Sequence, residues 1–138
     1  MSSDERNLLS EAYENSVGSR RATWRTFTDI LQTDDDKGYR SLQLIRVYRS
    51  MIETELSEIC QDLLTLLKDV LLPRSTGAEE QVFYLKMQGD YNRYLAEISS
   101  DETQRQVSLA AEVSYKDAVH VANHLSPTNP IRLGLALN

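Results

Sequence analysis

Four polar residues in the stretch from Val82 to Tyr94 have the spacing that brings side chains together on one helical face: Lys86, Asp90, Arg93 and Tyr94. Lys86 and Tyr94 each lie four residues from Asp90 and Arg93 lies three away, so all of them meet on neighbouring turns. A guanidinium binds a phosphate through paired hydrogen bonds, an ammonium adds positive charge, and a tyrosine hydroxyl adds a donor. The cluster therefore suits a phosphoryl group, although the same spacing also allows Asp90 to pair with the two cations in a solvated surface strip.

A second polar stripe lies near the start of the chain. Its members recur at intervals of four, three and four residues, which is a helical period: Glu14, Gly18, Arg21 and Arg25. Arg21 is the expected partner of Arg93 in a site that holds one phosphate group.

Three segments carry a resemblance to a known family, in the order and at the separations found in its members. They read RNLLSEAYENSVGSRRATWR, VFYLKMQGDYNRYLAE and PIRLGLALN. On these segments the chain is identified as a member of the 14-3-3 family, from about Ser3 to its last residue. The resemblance implies an all-α fold, in which antiparallel helices surround a groove that holds a phosphoserine or phosphothreonine segment of a client. It implies a dimeric signalling adaptor without enzymatic activity or a cofactor.

The resemblance also assigns residues to the phosphate pocket. Arg21, Arg93 and Tyr94 match three of its members, but Glu14 stands where the family has a lysine. Two unit charges about 6 Å apart interact by roughly 3 kcal/mol at an effective dielectric constant near 20, so a carboxylate there would oppose a phosphate. Glu14 could instead pair with Arg21 or another cation as surface charge. Two hypotheses therefore stay open: a phosphate-dependent adaptor, or a degenerate 14-3-3-like interaction protein that binds without phosphate.

Further matches extend the predicted site towards the end of the chain. Lys86 and Asn138 match residues that contact the client backbone or support the phosphate site. Leu133 and Leu137 match the apolar wall of the groove, although their spacing alone fits ordinary core packing.

The resemblance also bears on assembly with a second copy or with a 14-3-3 relative. Tyr48 and Glu55 match positions in the family's dimer seam, and Met51 replaces a residue that is commonly lysine. Plain helix packing would explain all three residues equally well. Family members carry two helices before and two after the matched region, so the resemblance implies a single helical domain, residues 1–138, that is incomplete at both ends. An open seam would expose apolar surface and favour self-association.

Composition restricts the partners. The chain has 15 basic and 21 acidic residues and a net charge of −6, which argues against nonspecific binding to nucleic acid or to anionic membranes. It has neither an apolar run of about 18 residues nor a charged and apolar leader after Met1. These features predict a soluble protein of the cytoplasm, with the nucleus as a second location. Cys60, the single cysteine, lies in an apolar helical stripe and is predicted to be core.

Apolar residues at intervals of three and four predict helices throughout, and no strand pattern is present. The first helix is expected over about Ser3 to Gln32, after a capping box of Ser2 and Glu5. A break follows from Asp34 to Gly38. The second helix is expected from Leu42 for about 30 residues, until Pro73 ends it.

Capping-box spacing also places the starts of the third helix, at Thr76 and Glu79, and of the fourth, at Ser99 and Glu102. Asn129 and Pro130 predict a fifth start. The fourth helix is expected to bury residues that are mostly small: Val107, Ala110, Ser114, Ala118, Val121 and Leu125. No carboxylates at metal-ligand spacing accompany the histidines of this helix, so no metal site is predicted.

Overall fold

The computed structural model describes residues 2–33 and 38–137. Five α-helices account for most of these residues, and the described part of the chain contains no strand. Their bounds are α1 Ser3–Thr33, α2 Tyr39–Leu66, α3 Ala78–Ile98, α4 Asp101–Ala122 and α5 Pro130–Ala136. The predicted all-α fold class is confirmed. The predicted break falls largely on residues 34–37, outside the described residues.

The chain divides into two compact units, Met1–Ile59 and Cys60–Asn138, and the division falls within α2. In the first unit, α1 and the first part of α2 are antiparallel: successive residues of α1 contact residues progressively closer to the start of α2. Arg20 Nε lies 3.2 Å from Glu55 Oε2, and Trp24 Nε1 donates to Glu53 Oε1 at 2.8 Å. The ring of Phe27 stacks at 6.5 Å on that of Tyr48.

In the second unit, α3 and α4 form an antiparallel pair joined only by Ser99 and Ser100. Asp101, which opens α4, has a φ of 54°, a left-handed conformation that aspartate tolerates better than most residues, and this allows the sharp reversal. The short helix α5 packs on both partners. Its core with them consists of the buried residues Val82, Ala118, Ala122 and Leu135.

Small side chains on α4 allow this close packing, and the sequence predicted that mostly small residues would be buried there. Ser114 and Ala118 are buried, but Ala110 is exposed and Val107, Val121 and Leu125 are only half-buried. Ala111 and Ala122 are buried in addition. The predicted burial of Ala110 was wrong because the stripe that faces α3 is centred one residue later.

Two predicted helix ends agree with the structure. Ser2 Oγ accepts a hydrogen bond from Glu5 N at 3.1 Å, and Asn129 Oδ1 accepts one from Ile131 N at 2.9 Å, with Pro130 following it in the first turn. At the end of α2, the helix changes to a π-helical turn, Leu67–Leu71, before Pro73. Proline has no N–H to continue the ladder, so the chain turns away after it.

The other two predicted capping boxes were wrong by one residue. Gly77 and Ser100 are the N-caps of α3 and α4, and neither has a side-chain cap. The hydroxyl of Thr76 instead lies 3.5 Å from Glu80 Oε2, and that of Ser99 donates to the carbonyl of Leu95 at 2.6 Å. Both hydroxyls found other acceptors, as short polar side chains do near helix ends.

Candidate functional site

The cluster predicted on the third helix is present on α3. Lys86 Nζ lies 2.8 Å from Asp90 Oδ2, one turn further along. Arg93 Nη2 lies 3.7 Å from the other carboxylate oxygen, Oδ1. One carboxylate therefore holds two cations on adjacent turns, and the three groups together carry one net positive charge.

Burial distinguishes this cluster from a solvated strip. Asp90 is only 6 % exposed, whereas the side chain of Arg93 is 53 % exposed and that of Lys86 29 %. A buried carboxylate requires partners for its charge, and here it has them. The outcome is an anchored carboxylate with a guanidinium that reaches solvent, which is the geometry that an anion-binding arginine requires.

Tyr94 lies beside Arg93 and is buried to 8 % exposure. Its ring packs edge to face against Tyr91, with centroids 5.1 Å apart. Arg93 Cζ lies 5.8 Å from the centroid of the Tyr94 ring, within the range of a cation–π interaction. These contacts restrict both side chains before any ligand arrives.

Tyr115 on α4 is a fifth member of the cluster, and the sequence did not predict it. Its hydroxyl donates a hydrogen bond to Asp90 Oδ1, the same oxygen that Arg93 approaches. The ring reaches that oxygen by crossing Gly89, where a β-carbon would lie 2.6 Å from Tyr115 Cε1. An isolated glycine inside a helical pattern commonly has such a packing reason, and Gly89 was the one signal for this contact.

The titration behaviour follows from these contacts. Burial raises the pKa of Tyr115, and the hydrogen bond to Asp90 raises it further, so the phenol stays a donor. Burial alone would lower the pKa of Arg93, but Tyr115, Asp90 and a hydrogen bond with Tyr94 raise it overall. The guanidinium therefore keeps its charge.

The remaining phosphate-pocket positions lie on α1, in the first unit. Arg21 is half-buried and Glu14 is exposed, seven residues or about 10 Å apart along the helix axis. Lys86, Arg93 and Tyr94 belong to the second unit. The meeting of Arg21 with Arg93 at one phosphate stays a prediction.

The residues predicted to line the groove lie on α5 or just after it. Leu133 is 49 % exposed and Leu137 is 88 % exposed, while Leu135 between them is buried. Asn138 lies outside the described residues.

The predicted seam residues lie on one exposed face of α2. Tyr48 is 48 % exposed and Met51 is 54 % exposed, next to Leu44 and Val47, which are exposed to a similar degree. Glu55 continues this face and pairs with Arg20 of the same chain. The face forms an apolar stripe with an acidic end, which we call the α2 stripe: Leu44, Val47, Tyr48, Met51 and Glu55.

Two further features concern metals and membranes. His120 and His124 form an edge-to-face ring pair with centroids 6.3 Å apart, and no three His, Cys, Asp or Glu side chains in residues 2–33 and 38–137 are arranged to bind a metal ion. None of the helices in those residues combines the length and apolarity that crossing a bilayer demands. Cys60 is buried, as predicted.

Known proteins that are similar to this chain all point to one family. The profile of the family described as 14-3-3 protein matches residues 1–138. A 14-3-3 protein of Giardia intestinalis is 50 % identical, and the match covers 100 % of this chain and 57 % of the relative. The 14-3-3-like protein GF14 chi of Arabidopsis thaliana is 50 % identical over 98 % of this chain and 51 % of its own length.

A third relative, 14-3-3 protein homolog 2 of Schistosoma mansoni, is 48 % identical over 100 % of this chain and 64 % of its own length. The chain thus spans 51–64 % of the length of these three curated relatives. The helical fold, the sequence motifs and the match over the whole chain lead to one conclusion: the chain belongs to the 14-3-3 protein family.

Proposed function

We propose that this protein is an adaptor that binds phosphoserine or phosphothreonine segments of client proteins and thereby regulates signalling. Arg93 is the central ligand of the phosphate group in this proposal, and the Tyr94 hydroxyl adds a donor. The observation that carries the proposal is the anchoring of a half-exposed Arg93 on a buried Asp90. The role is binding, with no chemical step and no cofactor.

The anchoring has an energetic meaning. A free arginine loses side-chain conformational entropy when it binds a ligand, and part of this cost is already met when neighbours hold the side chain in place. Asp90 and the Tyr94 ring hold Arg93 in this way, while Lys86 adds a second positive charge one turn before Asp90. A doubly charged phosphate gains from both cations.

The other predicted residues complete the proposed site. Arg21 supplies a second guanidinium from α1. Lys86 and Asn138 position the client chain, and Leu137 offers it an apolar contact.

Glu14 supports a second candidate function. Its carboxylate is exposed on α1, at the position where the family has a lysine, and it would repel a phosphate held by Arg21. The protein would then be a helical interaction protein that binds client segments without regard to phosphorylation.

We further propose that the α2 stripe is the seam of a dimer, formed with a second copy or with a 14-3-3 relative. The support is an exposed apolar surface on one helix face, ending in a charged residue, which resembles the core and rim of an interface. The predicted location, the cytoplasm with the nucleus as a second compartment, stays a prediction for cell fractionation to test.

The test of phosphate dependence is a titration of a fluorescent phosphoserine peptide that carries an upstream arginine, read by anisotropy beside its unphosphorylated form. We expect only the phosphorylated peptide to bind. Arg93→Ala should weaken that binding about tenfold to hundredfold, because a hydrogen bond between charged groups contributes about 1.5–3 kcal/mol.

Arg105→Ala is the matched control, because the Arg105 side chain is 83 % exposed on α4 and its partner Glu102 is itself 70 % exposed, whereas the partner of Arg93 is buried. It should leave the affinity unchanged. Equal binding of both peptides would favour the second candidate, and no binding of either by a protein that circular dichroism shows to be folded would reject both.

A further inference from the structure

Tyr115 contributes to the α3 cluster from a different helix. Its hydroxyl donates to Asp90 Oδ1, and Arg93 Nη2 lies 3.7 Å from the same oxygen. Lys86 Nζ takes the other oxygen at 2.8 Å. The phenol and the ammonium are thus within hydrogen-bonding distance of the carboxylate, and the guanidinium lies further away.

Competition for one oxygen explains the loose ion pair. The Tyr115 hydroxyl engages part of the lone-pair density of Asp90 Oδ1 and takes up space beside it, so a second donor at that oxygen is held less strongly. Arg93 is consequently held near Asp90 without being sequestered by it. A guanidinium in this state keeps its N–H groups available for an incoming anion.

The absence of a side chain at Gly89 makes room for the contact between Tyr115 and Asp90. At Gly89, a β-carbon would lie 2.6 to 2.8 Å from three carbon atoms of the Tyr115 ring, so any side chain there would block its path. Tyr115 also packs against the core of α3, α4 and α5. Its ring is therefore fixed on two sides, and the position of its hydroxyl is determined by the backbone of α3.

We propose that Tyr115 is a positioning residue of the phosphate site, whose hydroxyl occupies Asp90 Oδ1 and so keeps the Arg93 guanidinium available to a phosphate group. This inference rests on the proposed phosphate binding and deepens it. Tyr115 does not touch the phosphate; it acts through Asp90. Without its hydroxyl, Arg93 would close onto the freed oxygen, and a phosphate would have to displace it.

Tyr115→Phe tests the proposal, because it removes the hydroxyl and keeps the ring. We expect the affinity for the phosphoserine peptide to fall about tenfold, since a charge-assisted hydrogen bond must now be broken first. The unphosphorylated peptide should show no measurable binding to either protein. Ser114→Ala, which removes a buried hydroxyl that links α4 to Gln88 of α3 and not to Asp90, is the control and should leave the binding of both peptides unchanged.

A double-mutant cycle separates positioning from a merely structural role. In an Asp90→Asn background, the carboxylate charge that draws Arg93 is absent, so Tyr115→Phe should have almost no further effect on phosphopeptide affinity. An undiminished tenfold effect in that background would overturn the proposal, because Tyr115 would then act independently of Asp90.

A second measurement needs no ligand. The Nε–H proton of Arg93 gives a signal in a 15N correlation spectrum, which is assigned by its loss in Arg93→Lys. This proton should exchange more slowly with water in Tyr115→Phe, because the ion pair between Arg93 and Asp90 becomes tighter. An unchanged Arg93 signal would overturn the inference. If wild-type protein failed to prefer the phosphopeptide, the proposed function would fail, and this spectrum would still decide whether Tyr115 positions Arg93.

Discussion

The two helix pairs of this chain are held together in different ways. Long side chains connect α1 and α2 in the first unit, as in the contact of Arg20 with Glu55 and that of Trp24 with Glu53. Between α3 and α4 the contact is close, because Gly89 and small residues of α4 let the helices approach. The first arrangement leaves helix faces open to partners, and the second fixes polar groups in place.

The difference decides which polar groups act together. In the close pair, α3 and α4, Gln88 Oε1 lies 3.0 Å from Ser114 Oγ, and the Tyr115 hydroxyl donates to Asp90. Direct side-chain hydrogen bonds therefore link these two helices. In the open pair, α1 and α2, the two polar links named above use long side chains; for Arg20 and Glu55 the exposed fractions are 34 % and 49 %. Exposed ion pairs contribute little to stability, whereas buried and fully bonded networks fix geometry. A precise anion site is therefore expected on the close pair.

The largest effect should come from adding a side chain at Gly89, where α3 and α4 approach each other most closely. Gly89→Ala places a methyl group 2.6 Å from the Tyr115 ring, so the helices must separate or the ring must move. We expect the free energy of unfolding, measured by urea denaturation, to fall by about 3 kcal/mol. The phosphopeptide affinity should fall as well, because the Tyr115 hydroxyl leaves Asp90.

Gly134→Ala is the matched control. Gly134 is also helical, in α5, but a β-carbon there meets nothing within 4 Å. Alanine should stabilise that helix by a few tenths to about 1 kcal/mol through its higher helix propensity. Similar losses for the two variants would refute the assignment of Gly89 as the point of closest approach.

The open pair is tested through the α2 stripe, with an intermediate effect. Met51→Glu places a charge among apolar side chains that are half-exposed in one chain and would be buried in a dimer. Self-association, measured by sedimentation equilibrium, should weaken by about 2 kcal/mol, or roughly thirtyfold. The fold of the single chain should persist, because Met51 already faces solvent.

Ser50→Glu makes a comparable change one residue earlier, about 100° around the same helix. It should leave self-association nearly unchanged. An equal effect of the two variants, or a wild-type protein that stays monomeric at every concentration, would contradict the assignment of the α2 stripe as the seam.

The sequence was informative wherever one helix sufficed. The periodicity predicted α1 to within one residue of Ser3–Thr33, and the spacing of Lys86, Asp90 and Arg93 predicted contacts that α3 makes within itself. Contacts between helices were a different matter. Tyr115 follows Asp90 by 25 residues, and no rule of helical spacing connects them.

Burial was only partly predictable from the sequence, since it depends on the rotation of one helix against another. The apolar and small residues of α4 allowed a stripe through Ala110, but the observed stripe runs through Ala111. One residue corresponds to about 100° of rotation, so a small error in phase exchanges core for surface. Gly89 was the available clue, because a glycine within a strongly helical segment indicates a close neighbour.

The smallest expected effect concerns the open pair's own contribution to the site. Glu14 is exposed on α1, and the second candidate function rests on its repelling a phosphate group. Glu14→Lys replaces that repulsion by attraction, screened by solvent and salt because the side chain is exposed. We expect phosphopeptide binding to tighten about tenfold, or by about 1.4 kcal/mol, with a steeper dependence on salt concentration.

Asp29→Lys changes the charge equally at another exposed position of α1, 15 residues or about 22 Å further along the helix. It should alter the affinity much less, so the pair of variants distinguishes a local effect of Glu14 from the net charge. If Glu14→Lys left the affinity unchanged while Arg93→Ala abolished binding, the phosphate would be held by the close pair alone. The contribution assigned to α1 would then be withdrawn, and with it the predicted meeting of Arg21 and Arg93.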